Sequence, residues 1–277
     1  MPSTLRANLV GSLELALAAA GLLLLWRFVL SPEARRNRLA PRLPEWPVPA
    51  AEFLLFLVLV LLGSFAFAAT ASFVGKKLHL RGDAVTVFNG AAAQLGLFLG
   101  AVVFRLRIDR WSPRAAMPER RILIAGVATF LISLPIVMLA AKSSEYLLEW
   151  CGLPADRQDL VGMFAHADSA GLLSIMITLA VVIAPLTEEL VFRAGLFRYA
   201  RTRLPRALAL LLPALFFAAL HVNWSTLQGL ASLAPLVALA IIFSLAYERT
   251  GHIATSMVAH ALFNLNTVLL ILSGAIE

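Results

Sequence analysis

The sequence predicts an all-α polytopic membrane protein of about eight transmembrane helices, on three observations. The chain of 277 residues is 60% hydrophobic and only 14% charged, where a soluble domain is nearer a quarter charged. Its apolar residues form runs of about 20, the length that crosses a bilayer as helix. None of the runs alternates as a membrane barrel strand would, so each span must satisfy its backbone as a helix. These runs fall near 9–30, 50–74, 84–104, 122–141, 171–203, 205–222, 229–247 and 253–275.

The first run, from about Leu9 to Leu30, is too long for a signal-peptide core and lacks a clear small-residue cleavage site. It is read as a retained span. The loop after it carries Arg35, Arg36, Arg38 and Arg42. The third loop carries Arg105, Arg107, Arg110, Arg114, Arg120 and Arg121, and the turn after the fifth span carries Arg198, Arg201, Arg203 and Arg206. These are alternate loops, so the positive-inside rule places all three in the cytoplasm. Lys76, Lys77 and Arg81 between spans two and three run against that assignment. A long acidic outer loop is expected over 142–170, with Glu145, Glu149, Asp156, Asp159 and Asp168.

The net charge of +7 alone would also suit a nucleic-acid binder, but such proteins present a contiguous basic face. Here the arginines lie between apolar runs, so no nucleic-acid partner is expected. Cys151 is the only cysteine, which excludes an internal disulfide and a thiolate zinc cluster. His79, His166 and His252 fall in connections and read as solvated.

Charged groups inside spans cost about 2.5–3.5 kcal/mol each on insertion scales and are functional candidates by default. Glu14, Arg27 and Glu52 lie toward span ends, where snorkelling accounts for them. Asn89 and Gln94 in span three read as interhelical hydrogen-bonding groups. The fifth span contains Pro185, Glu188, Glu189 and Arg193. Adjacent carboxylates point about 100° apart on a helix, so Glu189 can pair with Arg193 one turn on while Glu188 faces elsewhere. Pro185 removes a backbone hydrogen bond and is expected to open or kink the helix. Span six holds Phe217 and His221; span eight holds His260 and Asn264.

If spans five and six form a hairpin about Leu204–Pro205, Glu188 and His221 both lie roughly 24 Å from the turn, at matching depth. His260 lies roughly 15 Å in from the Arg249–Gly251 turn. These depths permit two carboxylates, two imidazoles and an amide on three helices to converge on one site. Asn223 and Trp224, close after His221, are candidate cavity-lining residues.

The set Glu188-Glu189-xxx-Arg193, Phe217-xxx-His221 and His260-xxx-Asn264 resembles the three signature motifs of the CPBP (Abi) family of intramembrane proteases. That family includes the type II CAAX prenyl endopeptidases and bacterial relatives tied to bacteriocin processing. The likeness divides the chain into four accessory helices over 1–150, with Arg-rich cytoplasmic loops, and a catalytic four-helix core over 171–277.

The resemblance implies an intramembrane glutamic-type endopeptidase that needs no cofactor. Glu188 would be the base that activates water, His221 would help hold that water, and His260 with Asn264 would form the oxyanion hole. Glu189 paired with Arg193 would support them. Cleavage would fall near the C-terminus of, or within, a hydrophobic peptide or membrane-associated protein. A zinc protease using Glu188, His221 and His260 as ligands is the alternative chemistry, although no HExxH motif occurs. A transporter or a peptide-immunity protein is the non-enzymatic alternative. The arginine bias places the chain in a bacterial inner membrane, with the site opening to the cytoplasm.

Overall fold

A computed structural model describes residues 3–36, 40–108, 119–153, 163–164, 169–226 and 228–275. Those residues are overwhelmingly helical, with no strand among them. In chain order they form α1 (Ser3–Leu25, continued as a π-helical turn Trp26–Leu30), the short α2 (Pro32–Arg36), α3 (Ala50–Lys77), α4 (Asp83–Arg107) and α5 (Glu119–Trp150). There follow α6 (Ala170–Arg203), α7 (Arg206–His221), α8 (Leu233–Thr250) and α9 (Ala254–Ser273).

Among the described residues, seven helices are long and apolar enough to cross a membrane, so the protein is a multi-pass integral membrane protein. The remaining expected span, α7, covers 206–221, about 24 Å of helix against a hydrocarbon core of about 30 Å. It stops at His221 because Val222 is extended and the Asn223 side chain accepts from Ser225 N–H at 3.0 Å, a local turn that competes with helix. The expected loop over 142–170 begins later than the sequence suggests. Helix α5 runs on to Trp150, with Lys142 paired to Glu145 on it at 2.6 Å. Asp156, Asp159, His166 and Asp168 lie outside the described residues, as do Arg38, Arg110 and Arg114.

Polarity is arranged inside out. Leucines such as Leu61, Leu106 and Leu139 face outward, whereas Thr187, Glu188, Glu189, Arg193, Arg198, Glu248 and His260 are buried. Lipid is as apolar as leucine, so helices associate through close packing and interhelical polar bonds. Glu14 is one such case. It accepts from Asn266 Nδ2 at 2.8 Å, tying α1 to α9 instead of snorkelling. Glu52 is another, held by two hydrogen bonds from Arg107 at 2.9 and 3.0 Å.

Helix α5 packs against α1, α8 and α9, and α3 pairs with α4. The α3–α4 approach is backbone on backbone. A Cβ at Gly96 would lie 2.3 Å from the Gly63 carbonyl oxygen. Helix α4 then runs beside α6 in the same direction, bringing Gln94 to Glu188.

The arginines of the described loops gather at one end of the bundle, except Arg81, which lies between α3 and α4 at the other. Glu248, buried there, takes Arg201 and Arg206, and its carbonyl accepts from Arg42 and Leu43 N–H. Lys76 and Lys77 lie at the other end of α3, past its last apolar turn.

Gly96→Ala should push α3 and α4 apart, at a cost of about 1–3 kcal/mol. Gly90→Ala, with open space at its Cβ, should leave stability unchanged or raise it. Thermal unfolding of the two purified variants checks this; equal midpoints would contradict the packing.

Candidate active site

The site is built where α6 departs from α-helical geometry. Pro185 has no N–H, and Ala184 N–H reaches back five residues to Leu179 O across a π-helical turn (Leu179–Ile183). The carbonyl of Ala180 thereby loses both the donor four residues on and the donor five residues on. Asn264 Nδ2 supplies the missing bond at 2.7 Å. A second π-helical stretch, Glu189–Phe197, follows at once. π-bulges are rare and concentrate at functional sites.

Between these two stretches Glu188 and Glu189 diverge as adjacent helical residues must. Glu189 is fully buried and pairs with Arg193 at 2.8 Å. The guanidinium of Arg193 lies 4.7 Å from the Phe217 ring centre and 5.4 Å from that of Phe243. Its charge is thus met by one carboxylate and two π faces. The same carboxylate accepts from His260 Nδ1 at 2.9 Å. Glu189 is therefore more than a helix support, because it also fixes the imidazole of α9.

Glu188 faces the opposite way. Its Oε2 lies 3.7 Å from His221 Nε2 and 3.9 Å from His260 Nε2. Its Oε1 accepts from Gln94 Nε2 at 3.2 Å, and Gln94 Oε1 in turn accepts from the Thr187 hydroxyl. His221 Nδ1 meets the Phe217 carbonyl at 2.8 Å. A carbonyl and a carboxylate only accept, so both Nδ1 atoms carry protons. With neutral rings, both Nε2 lone pairs then point toward Glu188.

The structure thus brings Glu188, Glu189, Arg193, His221 and His260 together from α6, α7 and α9. Asn264 stands beside them with one amide hydrogen committed to Ala180. Gln94 was legible only as an interhelical donor, and it brings α4 into the site. Trp224 is exposed and donates its indole N–H to Ala219 O at 2.7 Å. The His221 side chain is 35% exposed against 4% for His260.

Among the described residues, no three His, Cys, Asp or Glu side chains are arranged to hold a metal. Ligand bonds of about 2.0–2.1 Å put the edges of a tetrahedral zinc site near roughly 3.3 Å. The separations of 3.7 and 3.9 Å around Glu188 Oε2 are wider.

Fold and site together define a multi-pass membrane protein with a buried carboxylate facing two imidazoles. Residues 170–266 match a family model described as type II CAAX prenyl endopeptidase Rce1-like, which indicates a protease. The match spans α6 to most of α9, includes all seven motif residues, and bears out the CPBP resemblance. No curated protein and no solved structure matches the chain.

Glu189→Gln should destabilise the fold by about 3–5 kcal/mol, because it strands the Arg193 charge in a dry interior. Glu189→Gln combined with Arg193→Met should recover much of that loss. Chemical or thermal unfolding in detergent reads both; an unaffected single variant would show that the pair carries no such load.

Proposed function

We propose that this protein is an intramembrane endopeptidase of the glutamic type, which hydrolyses a peptide bond by water activated on Glu188. The observation that carries the reading is the Glu188 carboxylate facing two imidazole Nε2 atoms in a largely buried setting. Water held between Glu188 Oε2 and His221 Nε2 attacks the scissile carbonyl carbon while its proton passes to Glu188. Gln94 holds Oε1, leaving Oε2 as the basic oxygen. As the C–N bond breaks, Glu188 returns the proton to the departing amine.

The oxyanion is met by His260 and Asn264. His260 is oriented through its Nδ1 hydrogen on Glu189, which aims its Nε2 at the reaction space. Asn264 has its second amide hydrogen free for the same task. Donors fixed in place in a low-dielectric cavity stabilise developing charge strongly. No step requires a metal.

The substrate is a hydrophobic peptide or a membrane-associated protein, cut within its chain or near its C-terminus. The arginine-rich end of the bundle faces the cytoplasm of a bacterial inner membrane, and His221 ends α7 away from it. The support is the cluster of arginines at one end of the bundle, as the positive-inside rule requires of that face.

Purified wild type should cleave members of a peptide library, and Glu188→Gln should lower kcat by about 10³-fold or more while folding normally, as loss of an essential base does. Elemental analysis of the active protein should find metal well below stoichiometric. Full activity in Glu188→Gln would overturn the base assignment. Stoichiometric zinc, with activity lost to a chelator and restored by zinc, would overturn the metal-free chemistry.

A further inference from the structure

Arg198 stands apart from the other buried charges. It is 8% exposed, yet its Nε and Nη2 have no hydrogen-bond partner. Its guanidinium lies 5.5 Å from the ring centre of Trp46, and the indole Nε1 of Trp46 is also buried without a partner. Both side chains line one cavity of about 280 Å³, walled by Phe56 and Phe104 and completed by Arg105 and Tyr247. Tyr247 interacts with Arg198 through its hydroxyl. The nearby carboxylates are engaged elsewhere: Glu248 with Arg201 and Arg206, and Glu189 with Arg193.

Among the described residues, the unmatched groups of this cavity are the donors Arg198 Nε, Arg198 Nη2 and Trp46 Nε1, and Arg105 also lines it. A buried charge and its hydrogens normally find partners, so these three donors call for an acceptor. We propose that it binds a phosphate-bearing anion, the headgroup of an anionic phospholipid in the first instance. Arginine meets phosphate through paired N–H bonds, and the indole N–H adds a third donor direction.

Position supports a lipid source. Arg105 lies in the last turn of α4, and Arg198 opens the last turns of α6. Both are at the arginine-rich end of the bundle, where phosphates of the surrounding leaflet lie. The cavity is small beside pockets that enclose whole drug-sized ligands, so it admits a headgroup while the acyl chains remain in the bilayer. Deeper on the same two helices stand Gln94 and Glu188. A bound headgroup would therefore brace the two helices that carry the proposed base and its amide partner.

The test uses thermal unfolding of the full chain in neutral detergent, with added phosphatidylglycerol, phosphatidylcholine or inorganic phosphate. Phosphatidylglycerol at about ten times its dissociation constant should raise the wild-type midpoint by about 2–4 °C, and phosphatidylcholine should do little. The shift should vanish in Arg198→Gln and at least halve in Arg105→Gln. The second variant keeps the test alive if the first does not fold. Arg107→Gln, whose arginine is committed to Glu52, should show the full shift. Protection by phosphatidylglycerol alone assigns a lipid headgroup; equal protection by inorganic phosphate keeps the site and assigns a free anion. Failure of both to protect wild type, or a lipid shift unchanged in the arginine variants, would overturn the proposal.

Discussion

A charge buried in a lipid-embedded bundle must be answered at once by another group, and Glu189 is where this chain answers it. One carboxylate meets Arg193 from its own helix and His260 from α9. Phe217 and Phe243 close over the guanidinium from α7 and α8. Four helices are registered against one another by that single ion pair and its aromatic walls. Everything nearer the reactive face inherits the registration. His260 has its ring plane and tautomer fixed by Glu189, and Phe217 supplies both the wall for Arg193 and the carbonyl that orients His221.

The spacing within each motif follows from that geometry. Glu189 and Arg193 are a helical turn apart because they must meet. Phe217 and His221 are a turn apart because one ring must lie under the arginine while the other reaches its own backbone. His260 and Asn264 are a turn apart because one serves the carboxylates and the other the carbonyl released by Pro185. The adjacency of Glu188 and Glu189 separates two duties that one acid could not perform, a neutralised anchor and the proposed base.

Much of this was legible in the sequence because lipid makes the rules strict. Apolar run length gave the spans, and the expense of intramembrane charge singled out Glu188, Glu189, Arg193, His221 and His260. What escaped depends on which partner a side chain finds across helices. Glu14 looked like a residue near a span end, but it meets Asn266, 252 positions away. Gln94 carried no sign in its own helix that it would face Glu188. The task of Asn264 at Ala180 depends on a π-turn that local pattern does not reveal. The short reach of α7 was hidden because an apolar run does not say where a helix ends.

The central claim is that Glu188, His221 and His260 act as one unit around a single oxygen. A double-mutant cycle tests it most directly, with kcat measured for Glu188→Gln, His221→Ala and the two combined. Groups that serve one step lose nearly everything on the first substitution, so the double variant should be about as slow as the slower single one. Losses that multiply across the two substitutions would mean that base and imidazole work independently, and the account of the site would fail.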